Sequence, residues 1–273
     1  MANTLINDKV LGQVIGAELP AKLKFSPVAV VDSTLTSVAG DTIKVEKYAY
    51  IGEAKDVAEG AEITISDLTM TEQDVTVKKA CSGFSATDEQ IVRRGAEVVN
   101  EGKKQLLMAT QDHIDSDCRD TLATATLKYE TTTKLDYISI VKANAKFGDK
   151  GHDFVKYLYI SPDQEADLML NDKFIDASQL ADSVVTEGVI GKIAGCYVVV
   201  SGKITLNSKH KYTNFIVQQG GLGIKLAKEF EIEEDRKANT KSSAYYSSEF
   251  YVTYLRDASK VVAITCTDGT VQA

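Results

Sequence analysis

Two stretches of alternating side chains, separated by a long polar segment, restrict the possible folds of this chain most strongly. Residues 42–51 and 74–84 each alternate apolar with polar positions, the period-two pattern of a half-buried strand. Segment 52–73 between them is too long and too acidic for an ordinary hairpin turn. A two-stranded ribbon is only marginally stable alone, so we expect its apolar side to pack on something distant in sequence. A neighbouring subunit is the simplest candidate.

A long helix is predicted directly after this ribbon. Thr87 and Gln90 form a capping box, in which each side chain can accept a hydrogen bond from the backbone amide of the other. The apolar pattern that follows can continue to about Leu127. Gly95 and Gly102 lie on one face of this helix and predict a kink or a close contact with another backbone.

The chain before the ribbon predicts an extended arm. Its short amphipathic segment is followed by Pro20 and Pro27, which interrupt regular structure. Such an arm buries little surface, so we expect it to be mobile in a free monomer.

The second half predicts alternating strands and helices, and the whole chain a mixed α and β architecture. The clearest signal is Ser161, Pro162 and Gln164, which combine a capping box with proline at the first helical position. A further amphipathic stretch covers 172–180. Strands are expected at 154–160, 189–200, 212–219, 244–255 and 261–266.

Composition excludes several classes of protein. A content of 44% hydrophobic and 26% charged residues is that of a folded soluble protein with one large or two modest domains. The sequence has no apolar run of membrane-helix length and no signal peptide, so we expect folding in the cytoplasm of the producing cell. A net charge of −8 argues against a broad basic face that grips nucleic acid, but it does not argue against a container that holds DNA without binding it tightly.

The four cysteines predict neither a zinc site nor a redox motif. They are Cys81, Cys118, Cys196 and Cys266, which are far apart and include no C-x-x-C pair. We expect each to be a small buried apolar residue.

A search for catalytic chemistry finds no complete site. His113, His152 and His210 stand in unrelated contexts without the serine or cysteine motifs of hydrolases. His113 and Asp117 share a helix face and could begin a metal site, but further ligands are missing and an exposed charged helix face is strongly favoured. Glycines 220–223 lack the ending of a phosphate-binding loop and favour a turn between strands.

Two side-chain clusters each permit two interpretations. A basic cluster could contact nucleic acid or an acidic neighbour, or could be a solvated face. A tyrosine cluster could be a binding platform, or could pack a sheet and an interface. The basic residues are Lys203, Lys209, Lys211, Lys225 and Lys228, and the tyrosines are Tyr245, Tyr246, Tyr251 and Tyr254. We predict no catalytic residue, no cofactor and no metal, and therefore no enzyme.

The order of these elements resembles the Hong Kong 97-type capsid fold of tailed bacteriophages. Several segments are similar to those of phage major capsid proteins, and the resemblance extends from about Leu35 to Thr265. No single motif is specific, so the weight comes from many matches in the correct order. The segments are 40–54, 57–60, 75–80, 161–164, 191–201 and 256–262.

The resemblance implies an α+β fold divided into four parts. Residues 1–37 would form an N-terminal arm and residues 38–86 an extended loop that crosses the adjacent subunit. Residues 87–134 and 251–273 would form a peripheral domain with a spine helix, and residues 135–250 an axial domain.

The resemblance also implies a function, namely self-assembly into hexamers and pentamers of an icosahedral virion shell around double-stranded DNA. Met1 leads almost directly into the arm, so we expect scaffolding to be a separate protein, alongside a portal protein. An encapsulin-like compartment shell is the alternative with the same fold, and a hydrolase or sugar-binding protein is the alternative from another class.

Residues of the loop and of the first helical turns are our candidates for contacts between subunits. They are Ile43, Val45, Tyr48, Tyr50, Val57, Glu59, Val75, Val77, Arg93 and Arg94.

Overall fold

The fold consists of two large sheets, one two-stranded ribbon and four α-helices over the part of the chain that the structure describes. A computed structural model describes residues 23–35, 39–48, 56–57, 60, 65, 67–95, 97–152, 154–170, 191–227 and 230–269. The helices are α1 (Asp88–Arg94), α2 (Glu97–Ala123), α3 (Tyr137–Asn144) and α4 (Pro162–Met169). The strands are β1 (Ala29–Leu35), β2 (Thr42–Tyr48), β3 (Met70–Thr76), β4 (Lys78–Thr87), β5 (Leu127–Glu130), β6 (Lys156–Ile160), β7 (Lys192–Ile193), β8 (Cys196–Val200), β9 (Lys211–Gln218), β10 (Leu222–Ala227), β11 (Glu231–Lys237), β12 (Ser242–Leu255) and β13 (Val261–Thr267).

The first large sheet is organised around the long strand β12. One side of β12 pairs with β10 and then with β11, and the other side pairs with β4. Helix α2 packs across β4 and β12. Gly102 permits this close approach, because a Cβ atom there would lie 2.2 Å from the ring of Phe84. The close contact predicted at Gly102 is therefore with an aromatic ring rather than with another backbone.

The second large sheet has the strand order β5-β13-β9-β6-β8-β7. Its central strands β9 and β13 are almost entirely buried, as expected for strands that are covered on both faces. One continuous core joins this sheet to α2 and to the first sheet, with Ile114, Phe215 and Ile264 completely buried. The two sheets consequently form one packed body.

The β2–β3 ribbon confirms the first predicted strand and divides the second. β2 pairs with β3 in antiparallel register from Thr42 opposite Thr76 to Tyr48 opposite Met70. The strand predicted at 74–84 changes sheets at Val77, because residues beyond it pair with β12 instead. The alternation of buried residues shifts there, so Ala80 is buried and Cys81 is exposed. The expectation of a buried Cys81 was wrong for this reason.

The predicted helix is shorter than its apolar pattern allowed. Thr87 and Gln90 form the expected capping box, and Gly95, with φ of 78°, ends the first segment, which confirms the predicted interruption. Helix α2 ends at Ala123, and Leu127 begins β5 rather than ending the helix. Parallel pairing of β5 with β13 competes successfully with helix continuation here.

The described residues of the predicted arm, 23–35, are held against the body of the subunit. Leu23, Phe25 and Val28 are buried in the main core, and β1 pairs in parallel with β10. The ring of Phe25 stacks on Tyr159 with the centroids 4.4 Å apart. The buried Asp115 carboxylate of α2 accepts a hydrogen bond from the Lys24 amide. Residues before 23 lie outside the described part of the chain.

Most secondary-structure predictions for the second half of the chain are confirmed. One predicted domain boundary does not coincide with the end of a strand. Ser161 and Gln164 form the expected capping box, and the expected strands are present near their predicted bounds. The amphipathic stretch 172–180 lies outside the described residues. Strand β12 runs without interruption through the predicted domain boundary between residues 250 and 251.

Candidate subunit interface

The base of the ribbon is covered by its own chain. Val75 is 9% exposed and packs with Val252 and Tyr254 of β12. Ile43 and Val45 of β2 pack against these three residues. We call these five residues the ribbon root. The prediction that the apolar side packs on something distant in sequence is confirmed. The expectation that a neighbouring subunit covers it is wrong at the root.

A glycine on β10, Gly223, makes this packing possible because it has no side chain. The ring of Tyr254 lies against Gly223, where a Cβ atom would be 2.3 Å from the ring. The ring therefore lies flat on the sheet and offers an even apolar surface to the ribbon. Burial raises the pKa of Tyr254, so its hydroxyl stays neutral.

A polar cluster fixes the junction between the ribbon and α2. The Lys78 ammonium lies 2.8 Å from the Asp117 carboxylate, and the Tyr251 hydroxyl donates to the same oxygen. Burial acts to raise the pKa of Asp117, but the hydrogen bonds from Lys78 and Tyr251 outweigh it and lower that pKa. The first residue of β4 is thereby tied to the middle of α2.

The far end of the ribbon exposes apolar side chains. We call residues 49–69 the ribbon tip; of these, the structure describes 56–57, 60, 65 and 67–69. Ile65 is 90% exposed and Leu68 is 61% exposed, and Val57 is exposed as well. These exposed apolar side chains make the ribbon tip a candidate surface for contact with another molecule.

The structure separates the candidate contact residues into three groups. Ile43, Val45, Val75 and Val77 are half-buried or buried in their own chain, so they offer little surface to a neighbour. Val57, Arg93 and Arg94 are exposed. The side chain of Tyr48, together with Tyr50 and Glu59, lies outside the described residues.

The other candidate sites have structural explanations. Asp117 is engaged by Lys78 and Tyr251, and His113 packs edge-on against the Tyr251 ring. No group of three or more potential metal ligands occurs among the described residues. Gly220 and Gly221 lie in the predicted turn between β9 and β10, and Gly223 belongs to β10.

Burial explains most of the tyrosine cluster and of the cysteines, whereas both interpretations of the basic cluster remain open. Within the basic cluster, Lys203 pairs with Asp112 at 3.3 Å, and Lys228 lies outside the described residues. Tyr245, Tyr251 and Tyr254 are buried in the sheet as the packing interpretation predicts, whereas Tyr246 is half exposed. The cysteines other than Cys81 are buried. None of the described helices has the length and apolarity to cross a membrane.

Comparison with known proteins identifies the family. A family model described as phage capsid protein matches residues 71–264. The major capsid protein of Staphylococcus phage phiMR11 is 31% identical over 267 residues, which are 97% of this chain and 94% of that protein.

Solved structures show the same fold at low sequence identity. The capsid structure of cyanophage P-SCSP1u has a TM-score of 0.71 at 12% identity, covering 89% of this chain and 88% of that chain. The head structure of Helicobacter pylori bacteriophage KHP40 has a TM-score of 0.69 at 10% identity, covering 87% and 88%. The family model and the relative from phage phiMR11 favour a phage capsid over an encapsulin-like compartment or a hydrolase. The chain therefore belongs to the phage capsid protein family, with the Hong Kong 97-type fold and the structural, non-enzymatic role of a major capsid protein in the virion of a tailed phage.

Proposed function

We propose that copies of this chain form the hexamers and pentamers of an icosahedral shell, in which the ribbon tip of each subunit lies on an adjacent subunit. The family assembles into shells of many copies of one protein. The proposal names the contact that joins those copies.

The exposed apolar residues of the ribbon tip carry this proposal. Ile65, Leu68 and Val57 project from the end of a ribbon whose root is already covered by β12. Each such side chain gains about 1.5 to 3 kcal/mol when it is moved from water into an apolar contact. A neighbouring copy is always present in a shell, so it can supply that contact at every tip.

The proposed cargo is double-stranded DNA that is enclosed without sequence-specific binding. A net charge of −8 repels phosphate on average, so the wall holds DNA without adhering tightly to it. We further propose that separate scaffolding and portal proteins act with this chain, and that assembly takes place in the host cytoplasm.

The test compares a tip variant with a matched surface variant. Val57→Ser, Ile65→Ser and Leu68→Ser are combined in one protein, and Leu206→Ser, which also removes an exposed leucine, is the control. We expect the triple variant to remain a folded subunit without shells in sedimentation velocity and negative-stain microscopy. The control should assemble like the wild type. Normal shells from the triple variant would refute the proposed role of the tip.

A further inference from the structure

Helix α1 projects from the body with little packed against it. It has no buried residue, and Val92 is 85% exposed. A capping box holds its first turn, and Asp88 makes a two-point ion pair with Arg236 at 2.6 and 2.7 Å. These contacts position the helix from its first turn and leave its last turn free to meet another molecule.

The last turn of α1 is basic. Arg93 and Arg94 are both exposed there, and the ion pair of Arg93 within the described part of the chain is a long contact of 3.9 Å with Glu89. An exposed pair of this length contributes little, so both guanidinium groups are available for a stronger partner.

Strand β11 offers the opposite charge on an open sheet edge. Among the described strands it pairs with β12 alone, and its four acidic residues are exposed. Glu231 accepts a hydrogen bond from Ser248, and Glu234 accepts one from Tyr245. Within the described part of the chain, no cation lies within ion-pair distance of the remaining two, Glu233 and Asp235.

The basic helix α1 follows one edge of a three-stranded section and the acidic strand β11 forms the other edge, while the Arg236–Asp88 ion pair joins the first turn of α1 to β11 within the same chain. The strand order there is β11-β12-β4, and α1 follows directly from the end of β4. Ser242 of β12 pairs with Lys237 on one side and with Thr87, the cap of α1, on the other. Opposite charges on opposite edges suit contacts that run from one copy to the next in the same direction.

We propose that α1 of one copy docks on the β11 edge of a second copy, with Arg93 and Arg94 facing Glu233 and Asp235 and with Val92 covered by the contact. The inference rests on the proposed assembly of identical subunits and names a second interface within it. Because the two surfaces differ, the contact is head-to-tail, and repetition around an axis closes it into a ring.

Each charged surface also has a local explanation, and the test separates the two. Acidic residues on an edge strand protect it against unwanted strand pairing. Arginines in the last turn of a helix compensate its dipole. Neither local role requires the two surfaces to be complementary.

The decisive experiment is a charge exchange in the full chain. One variant carries Arg93→Glu with Arg94→Glu, a second carries Glu233→Lys with Asp235→Lys, and a third combines all four changes. We expect each pair alone to raise the protein concentration needed for half-maximal shell formation by at least about tenfold, because like charges then face each other. The combined variant should return to within about threefold of the wild type.

Controls make every outcome informative. Lys142→Glu with Lys146→Glu applies the same charge change to exposed lysines elsewhere and should assemble normally. Thermal melting confirms that every variant is folded. The docking of α1 on β11 is overturned if each two-residue variant assembles as well as the wild type, or if the four-residue variant is not rescued. Neither outcome affects the proposed role of the ribbon tip. If the tip variants assemble normally but the charge exchange behaves as expected, only the proposed role of the tip fails.

Discussion

The two ends of the β2–β3 ribbon differ in what covers their apolar side chains. At the root, Val75 packs on Val252 and Tyr254 of the same chain. At the tip, Ile65 and Leu68 are open to solvent. Under the proposed function, the root is covered when the subunit folds and the tip is covered when the shell assembles.

This difference explains how a ribbon can serve as an intersubunit arm. A free two-stranded ribbon is marginally stable, and an ordered arm must limit the entropy lost on assembly. Packing of the root on β12 fixes the direction of the ribbon before a neighbour arrives. The tip can then contribute its apolar area to the interface with a smaller ordering cost.

Removal of the tip should have the largest effect, and on assembly alone. Tyr48 and Met70 face each other at the end of the register, so residues 49–69 can be replaced by an Asn-Gly turn. We expect shells to disappear while the free energy of unfolding changes by less than about 0.5 kcal/mol, as for surface changes in general. Chemical denaturation and electron microscopy measure the two quantities. A strongly destabilised subunit would show that the tip belongs to the folded body.

A side chain added at the ribbon root should have the next largest effect, and that effect should be on the stability of the subunit. A Cβ atom at Gly223 would lie 2.3 Å from the Tyr254 ring, so Gly223→Ala displaces the surface on which the ribbon rests. We expect a loss of about 1 to 3 kcal/mol in the free energy of unfolding. Gly202→Ala is the matched control, because nothing lies within 4 Å of its new Cβ atom. Equal melting temperatures for the two variants would contradict the packing described for the root.

A valine-to-alanine substitution at the root should harm stability more than one at the tip, and the order should be reversed for the yield of shells. Val75→Ala removes buried methyl groups and should cost about 1 to 2 kcal/mol of unfolding free energy, whereas Val57→Ala should cost less than about 0.3 kcal/mol. For the yield of shells, Val57→Ala should be the more harmful change. The same order in both assays would remove the distinction between root and tip.

Acid should weaken the junction at the root slightly. The pKa of Asp117 is lower in the folded state than in the unfolded chain, so its ionised form adds stability above the unfolded value, near 3.8. That contribution is lost as the pH falls through the folded value. Asp117→Asn should therefore destabilise the protein at pH 7 and make less difference at pH 3. A gap between variant and wild type that does not shrink in acid would argue against the ion pair with Lys78.

Local sequence signals predicted the elements that local interactions determine. The capping boxes at Thr87 and Ser161 fixed two helix starts, because each depends on residues three positions apart. Strands β12 and β13 were likewise predicted close to their observed bounds. The end of α2 was misplaced because strand β5 gains a partner, β13, that lies far along the chain.

The candidate site was harder to predict, because exposure depends on distant partners. Alternation identified an apolar side on the ribbon but could not reveal that β12 covers its root. The sheet change at Val77 reversed the burial of Ala80 and Cys81. Strand β11 was missed, since Ile232 is its one apolar residue and its edge position follows from pairing with β12.

Thiol labelling of the tip tests the central claim most directly. Leu68→Cys is introduced together with Cys81→Ser, because the other three cysteines are buried and should label slowly. The labelling rate is then compared between unassembled subunits and purified shells. We predict fast labelling of the subunit and labelling slower by more than about tenfold in the shell, where a neighbouring copy excludes solvent. Equal rates in the two states would contradict the account, because the tip would then remain uncovered after assembly.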